Sequence, residues 1–238
     1  MSTQKLIFDI ETIGVDFDRL DEATQEGLTR WIKRESSGDD EYKVALEELK
    51  QGLGFSPLTG EIVAIGVLDY HQEKGVVYFQ APNKGLKEFT DGAITYKPMT
   101  EKQMLEAFWK GALNYQQFIT FNGRQFDAPF LALRSAINGI RPTKDLNRAR
   151  YLYQQTPDAV HIDLYDQLSF YGATRRKGSL HLYCKAFDIK SPKEEGVTGD
   201  EVGELFKRER YEDIARYNAG DLFATKELYD RWDSYLRF

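Results

Sequence analysis

One cysteine, Cys184, in 238 residues cannot close an internal disulfide, so covalent staples play no part in the expected fold. Long hydrophobic runs are missing as well: none approaches the ~20 residues of a membrane span. The first segment meets an acid by Asp9, too early for a secretory h-region. Together these omissions predict a soluble, cytoplasmic protein with no membrane partner. An excess of positive charge is also lacking. The formal net charge is -6, which argues against a surface that grips nucleic acid indiscriminately. Internal repeats and low-complexity linkers are absent, which favours a single domain over residues 1–238.

What the chain does have is a 41% apolar share with 13% aromatics, enough for one sizeable core. Its basic residues concentrate in two stretches, Arg134 to Arg150 and Arg175 to Lys193. Each reads either as a local grip on phosphate or as a solvated face. Cys184, among apolar neighbours in a predicted helix, reads as buried and inert.

The segment Leu6-Ile7-Phe8-Asp9-Ile10-Glu11-Thr12 has the alternation of a strand, so Asp9 and Glu11 project to the same side. Residues 15–51 are polar, and apolar positions at helical spacing predict helices over 20–34 and 41–49. This stretch reads either as an insertion between core strands that covers part of a cleft or as a plain solubilising helical pair. Apolar runs at 62–68 and 76–79, separated by a polar turn containing His71, predict a hairpin and, with the first strand, an antiparallel three-stranded meander. Thr100-Glu101-Lys102-Gln103 has the form of a capping box before an apolar helical face. A short strand at 118–121 then precedes the Asn122-Gly123 turn and a helix with Pro129 in its first turn. Three strands, helix, strand, helix is the order of a ribonuclease-H-like α/β core, with a mixed sheet and flanking helices. Beyond Ile140 the pattern is mostly helical, over 164–171, 179–187 and 211–235, with a loop at 191–199.

Two carboxylates sharing a small volume repel unless a proton or cation intervenes, and hard oxygen ligands suit Mg²⁺ or Mn²⁺; Asp9 and Glu11 read equally as two polar residues on the solvent face of an edge strand. Asp127 follows a strand end, where α/β sheets present functional groups, but Asp before a first-turn proline is also a favoured helix N-cap. Tyr217 and Asp221, four residues apart in the last helix, share a face, either as a surface pair or as part of a site. His161 and His181 read as structural. Asp163 and Asp166 read either as lining a cleft or as capping and solvating the helix that starts there.

Three segments in order, Phe8-Asp9-Ile10-Glu11-Thr12, Phe121-Asn122-Gly123-Arg124-Gln125-Phe126-Asp127 and Tyr217-Asn218-Ala219-Gly220-Asp221, resemble the exonuclease motifs of the DEDD 3′–5′ exonucleases. Tyrosine before the final acid makes the likeness one to the DEDDy branch. Within that branch the chain is most similar to stand-alone proteins related to the exonuclease domain of family B DNA polymerases. The resemblance implies two divalent cations, Mg²⁺ or Mn²⁺. It implies Asp9 bridging them, Glu11 and Asp221 completing the water-activating site, and Asp127 holding the second ion partly through water. Tyr217 would position the attacking water. Thr12, Asn122 and Phe126 would contact the terminal nucleotide at the 3′ end of single-stranded DNA or RNA, although Phe126 reads equally well as core. Arg175, Arg176 and Lys177 are the candidate phosphate contacts. A chain of 238 residues leaves no room for a polymerase half, so proofreading in cis is not expected. An exoribonuclease is the same-class rival, since no residue must sense a 2′-hydroxyl. A nuclease-fold interaction module in a replication or repair assembly is the rival from another class.

Overall fold

The computed structural model describes residues 3–176, 178–191 and 201–237. Its sheet is built outward from β1 (Lys5–Gly14). Strand alternation sends Leu6, Phe8 and Ile10 into the hydrophobic cluster on one face and Ile7 into the cluster on the other. β2 (Gly60–Asp69) pairs antiparallel with β1, and β3 (Lys74–Phe79) antiparallel with β2, forming the expected meander. A register shift between Glu11 and Thr12 interrupts the first of these ladders.

The sheet extends further than the sequence pattern predicts. β4 (Phe89–Asp91) and β5 (Ile94–Pro98) add an outer edge, with β5 parallel to β3. Beyond β1, β6 (Gln117–Thr120) and β7 (Val160–Asp163) run parallel to it and to each other. The order in this seven-stranded sheet is β4-β5-β3-β2-β1-β6-β7. β7 corrects the mostly helical reading beyond Ile140. Its four residues, two of them polar, are too few to establish a period and find their place by pairing with β6.

α3 (Glu101–Ala112) and α4 (Asp127–Ile137) cover the Phe8 face with Met104, Phe108 and Phe130. The capping box starts α3 as expected: the Thr100 hydroxyl accepts from the Gln103 amide, and the Gln103 side chain accepts from the Thr100 amide. The Glu101 carboxylate ties the layers together, accepting from Ile62 N at 2.8 Å and from Arg134 Nε and Nη2 at 2.8 and 2.7 Å.

The Ile7 face is covered by α5 (Leu164–Leu168), α6 (Leu180–Ala186), α7 (Val202–Lys207) and α8 (Tyr211–Tyr235). Leu222, Leu228, Tyr229 and Trp232 form the buried stripe of α8, and Cys184 is buried in α6. The helix predicted over 164–171 stops at Leu168 because Phe170 and Tyr171 take positive φ. Residues 192–200, which contain most of the predicted 191–199 loop, lie outside the described residues.

Between β1 and β2 stand α1 (Glu22–Glu35) and α2 (Asp39–Gly52), the two helices expected in the insertion. α1 buries Thr29 and Ile32, and α2 buries no residue. The segment after α2 returns to the sheet, where the Thr12 hydroxyl donates to the Gly54 carbonyl at 2.7 Å. Among the described residues, no helix is long and apolar enough to cross a membrane.

Candidate active site

β6 pairs with β1 only over Lys5–Ile7. Past that point the carboxyl-terminal half of β1 is uncovered on this side, and the crevice where parallel strands part is the usual ligand position in α/β sheets. Asp9 and Glu11 follow Ile7 in the alternation and face α8. α8 in turn presents Tyr217, Asn218 and Asp221. One carboxylate oxygen from each of Asp9, Glu11 and Asp221 lies within 4.8 Å of the others.

Asp127 does not act as the helix N-cap. Phe126 occupies that position without a side-chain capping bond, and Asp127 is the first residue of α4. Its Oδ1 instead accepts from Ile10 N of β1 at 3.0 Å, so the uncovered strand edge is tied to the start of α4. Asp127 is only 3% exposed and stands beside the trio. Asp127 and Asp221 both repel the charge on Asp9 and on Glu11.

Electrostatics confirm how concentrated the charge is. Burial first, then repulsion from Asp127, Asp221 and Glu11, pushes the Asp9 carboxyl well above the usual carboxylate range. Burial followed by repulsion from Asp221 and Asp127 does the same to Glu11. Burial raises Asp127 to about 7. The Tyr217 hydroxyl is also driven upward, by burial and then by Asp221, Glu11 and Asp9, and it hydrogen-bonds to Asp221. It is therefore a protonated donor at neutral pH and no base. This donor set of converging hard oxygens fits a divalent cation, whose charge would relieve the mutual repulsion.

Sequence reasoning missed Asn218. Its Nδ2 donates to Asp9 Oδ2 at 2.7 Å, which orients that carboxylate. Asn218 is wholly buried, and its Oδ1 packs where a Cβ on Gly66 would stand 2.1 Å away. A glycine inside the apolar run 62–68 of β2 was the available signal, since glycine there often marks close approach by another group.

A cleft of about 450 Å³ opens from the acids and is walled by Asn122, Tyr165, His181 and Ser191 among others. Asn122 holds a left-handed conformation, φ 65°, which asparagine tolerates better than most residues. Asp163 fixes this turn by accepting from Asn122 N at 2.8 Å and Arg124 N at 3.0 Å, besides capping α5. Gly123 lies so close to the end of β6 that a Cβ would come 2.4 Å from Thr120 Oγ1.

The remaining expected residues are placed differently. Thr12 has its hydroxyl engaged by Gly54. Phe126 is half-buried, with its ring 6.4 Å from Phe55 and 5.4 Å from Phe130. Arg175 and Arg176 are exposed near Gly178, a residue of the cleft wall, and Lys177 lies outside the described residues. His181 lines the cleft, its Nδ1 2.7 Å from Ser191 Oγ, so a purely structural reading understates it. Asp166 is buried and ion-paired with Arg150, not solvated.

Comparison with known proteins agrees with this architecture. A family B DNA polymerase from the hyperthermophilic archaeon Pyrobaculum calidifontis is similar over 98% of this chain, with a TM-score of 0.59 at 15% identity. That identity makes it a likeness of fold, the ribonuclease H-like α/β fold. The match takes in 25% of the polymerase chain. A search of curated proteins returned no match. The model of a family described as a predicted 3′–5′ exonuclease related to the exonuclease domain of PolB matches residues 61–236, and the chain therefore belongs to that family of exonucleases.

Proposed function

We propose that the chain is a metal-dependent exonuclease that removes nucleotides from the 3′ ends of single-stranded DNA. Asp9, Glu11, Asp127 and Asp221 are its metal ligands. The observation that carries this reading is the convergence of Asp9, Glu11 and Asp221 within 4.8 Å, with Asp127 buried beside them. DNA is favoured over RNA because the family is related to a DNA polymerase domain and the similar fold is that of a DNA polymerase.

When bound, divalent ions, two by family likeness and Mg²⁺ or Mn²⁺ in kind, lower the pKa of water and offset charge on the phosphodiester. The chain's own groups do the rest. Asn218 holds Asp9 in one orientation. Tyr217 keeps its proton and donates it to Asp221, which leaves its hydroxyl oxygen to accept from an attacking water, so it orients that water and does not deprotonate it. Asn122 receives the terminal nucleotide in the cleft, Thr12 and Phe126 border it, and Arg175 and Arg176 meet phosphate at the rim. We also propose that residues 1–238 act as one exonuclease domain in which the helices at 15–51 are an insertion.

The test uses 5′-labelled single strands of DNA and RNA with Mg²⁺, Mn²⁺ or EDTA. A ladder shortening from the 3′ end, dependent on metal and absent from Asp9→Ala, is expected. In parallel, Mg²⁺ at about 100 times its Kd should stabilise the wild type by ~2.7 kcal/mol and leave Asp9→Ala nearly unmoved. Cleavage by Asp9→Ala, or in EDTA, would refute the assignment. Preference for RNA would make the chain an exoribonuclease.

A further inference from the structure

The segment that follows Arg150 and the segment that precedes Arg175 lie apart in the sequence, but the fold joins them. The Tyr151 ring, next to Arg150, lies 4.7 Å from the Tyr171 ring, four residues before Arg175, and stacks on Tyr153 at 5.8 Å and 22°. The Arg150 guanidinium sits 5.8 Å over Tyr171 while donating to the buried Asp166 carboxylate, which holds it in place. Arg148, Arg175 and Arg176, which flank these segments in the chain, are exposed.

Large aromatic surface is left in solvent here. Tyr153 is 82% exposed and Phe170 53%. The backbone is committed to this display: Phe170 and Tyr171 are consecutive non-glycine residues at φ 50° and 55°, a left-handed conformation that L side chains disfavour. It is held by the Tyr171 amide donating to the Asp166 carbonyl at 2.7 Å. The same segment leads to the cleft. Arg176 is two residues from Gly178 of the cleft wall, so at most about 7.6 Å separates their Cα atoms.

We propose that this face is an accessory platform for the single-stranded nucleic acid upstream of the 3′ end, with bases stacking on Tyr153 and Phe170 and phosphates meeting the arginines. Exposed π faces among cations on a chain of net charge -6 match that ligand, which every base can satisfy by stacking. The proposal rests on the exonuclease reading for its orientation toward the cleft, but it can be tested without cleavage.

Anisotropy of 5′-fluorescein dT20 in EDTA reports binding while the acids of the cleft have no metal to neutralise them. Tyr153→Ala and Phe170→Ala, both at exposed positions, should each weaken binding by between about fivefold and about a hundredfold. Tyr153→Trp should restore it. Arg148→Ala should reduce the salt dependence of log K by ~0.7 for each phosphate that the arginine neutralises, and Tyr153→Ala should leave that slope unchanged. Equal affinity of wild type and both alanine variants would overturn the platform. So would a loss in Tyr153→Ala that tryptophan does not rescue. A platform that passes these tests in a protein that never cleaves would sink the exonuclease reading alone.

Discussion

Acidification should destabilise this protein through His161, two residues before Asp163 on β7 and tied through Thr120 to the turn at the cleft. The imidazole is 1% exposed. Its Nδ1 lies 3.0 Å from the Leu146 carbonyl, which can only accept, so Nδ1 carries the proton. Its Nε2 then accepts from the Thr120 hydroxyl at 2.8 Å, and Thr120 Oγ1 accepts from Gly123 N at 3.2 Å. Burial lowers the His161 pKa to about 4. Protonating Nε2 would place a second donor against a hydroxyl already oriented toward it, beside the turn that carries Asn122.

The sign follows from linkage. The folded pKa lies below the unfolded 6.5, so the unfolded chain binds more protons between them. Stability is fully present above about pH 6.5 and is lost as the pH falls toward about 4. The whole window amounts to about 3 kcal/mol, of which about 2 kcal/mol is gone by pH 5. Urea denaturation followed by tryptophan fluorescence at pH 7.5 and 5.0, in EDTA, measures it. His161→Gln, which retains a donor and an acceptor without titrating, serves as the reference. The buried carboxylates have raised pKa values and contribute with the opposite sign, but they are common to both proteins and cancel in the difference. Wild type should lose about 2 kcal/mol more than His161→Gln. Equal losses, or an NMR titration of the folded His161 ring near 6.5, would refute the reasoning.

Three further outcomes test the site and its support. Gly66→Ala should displace Asn218, since the new Cβ would stand 2.1 Å from its Oδ1 and 2.9 Å from Leu222 Cδ1; a cost of ~1–3 kcal/mol and weaker Mg²⁺ binding by calorimetry are expected. Tyr217→Phe should keep the Mg²⁺-induced rise in Tm while its cleavage rate falls ~100-fold through lost positioning of the water, and unchanged turnover would remove the hydroxyl from the mechanism. Glu101→Ala strips Arg134, Asn138 and the Ile62 amide of a shared acceptor and should cost about 3 kcal/mol in chemical denaturation.

Sequence by itself determined whatever depends on short-range periodicity or on a local motif. Alternation put Asp9 and Glu11 on one side of a strand, helical spacing put Tyr217 and Asp221 on one side of a helix, and Thr100 with Gln103 announced the start of α3. The likeness of three ordered segments to exonuclease motifs pointed to the family. Tertiary structure alone decided what those residues meet. Asp127 could have capped its own helix, but β6 leaves β1 early and the buried Ile10 amide, beyond the β6 ladder, claims the carboxylate. Asn218 reaches Asp9 only because Gly66 leaves room on a neighbouring strand, and β7 exists because β6 offers an edge. The segment after Arg150 and the segment before Arg175 meet only in the fold, where Tyr151 packs on Tyr171. Local patterns report the few dihedral wells open to each residue, whereas these pairings join residues far apart in the chain, whose proximity arises only when the whole sheet closes around one core.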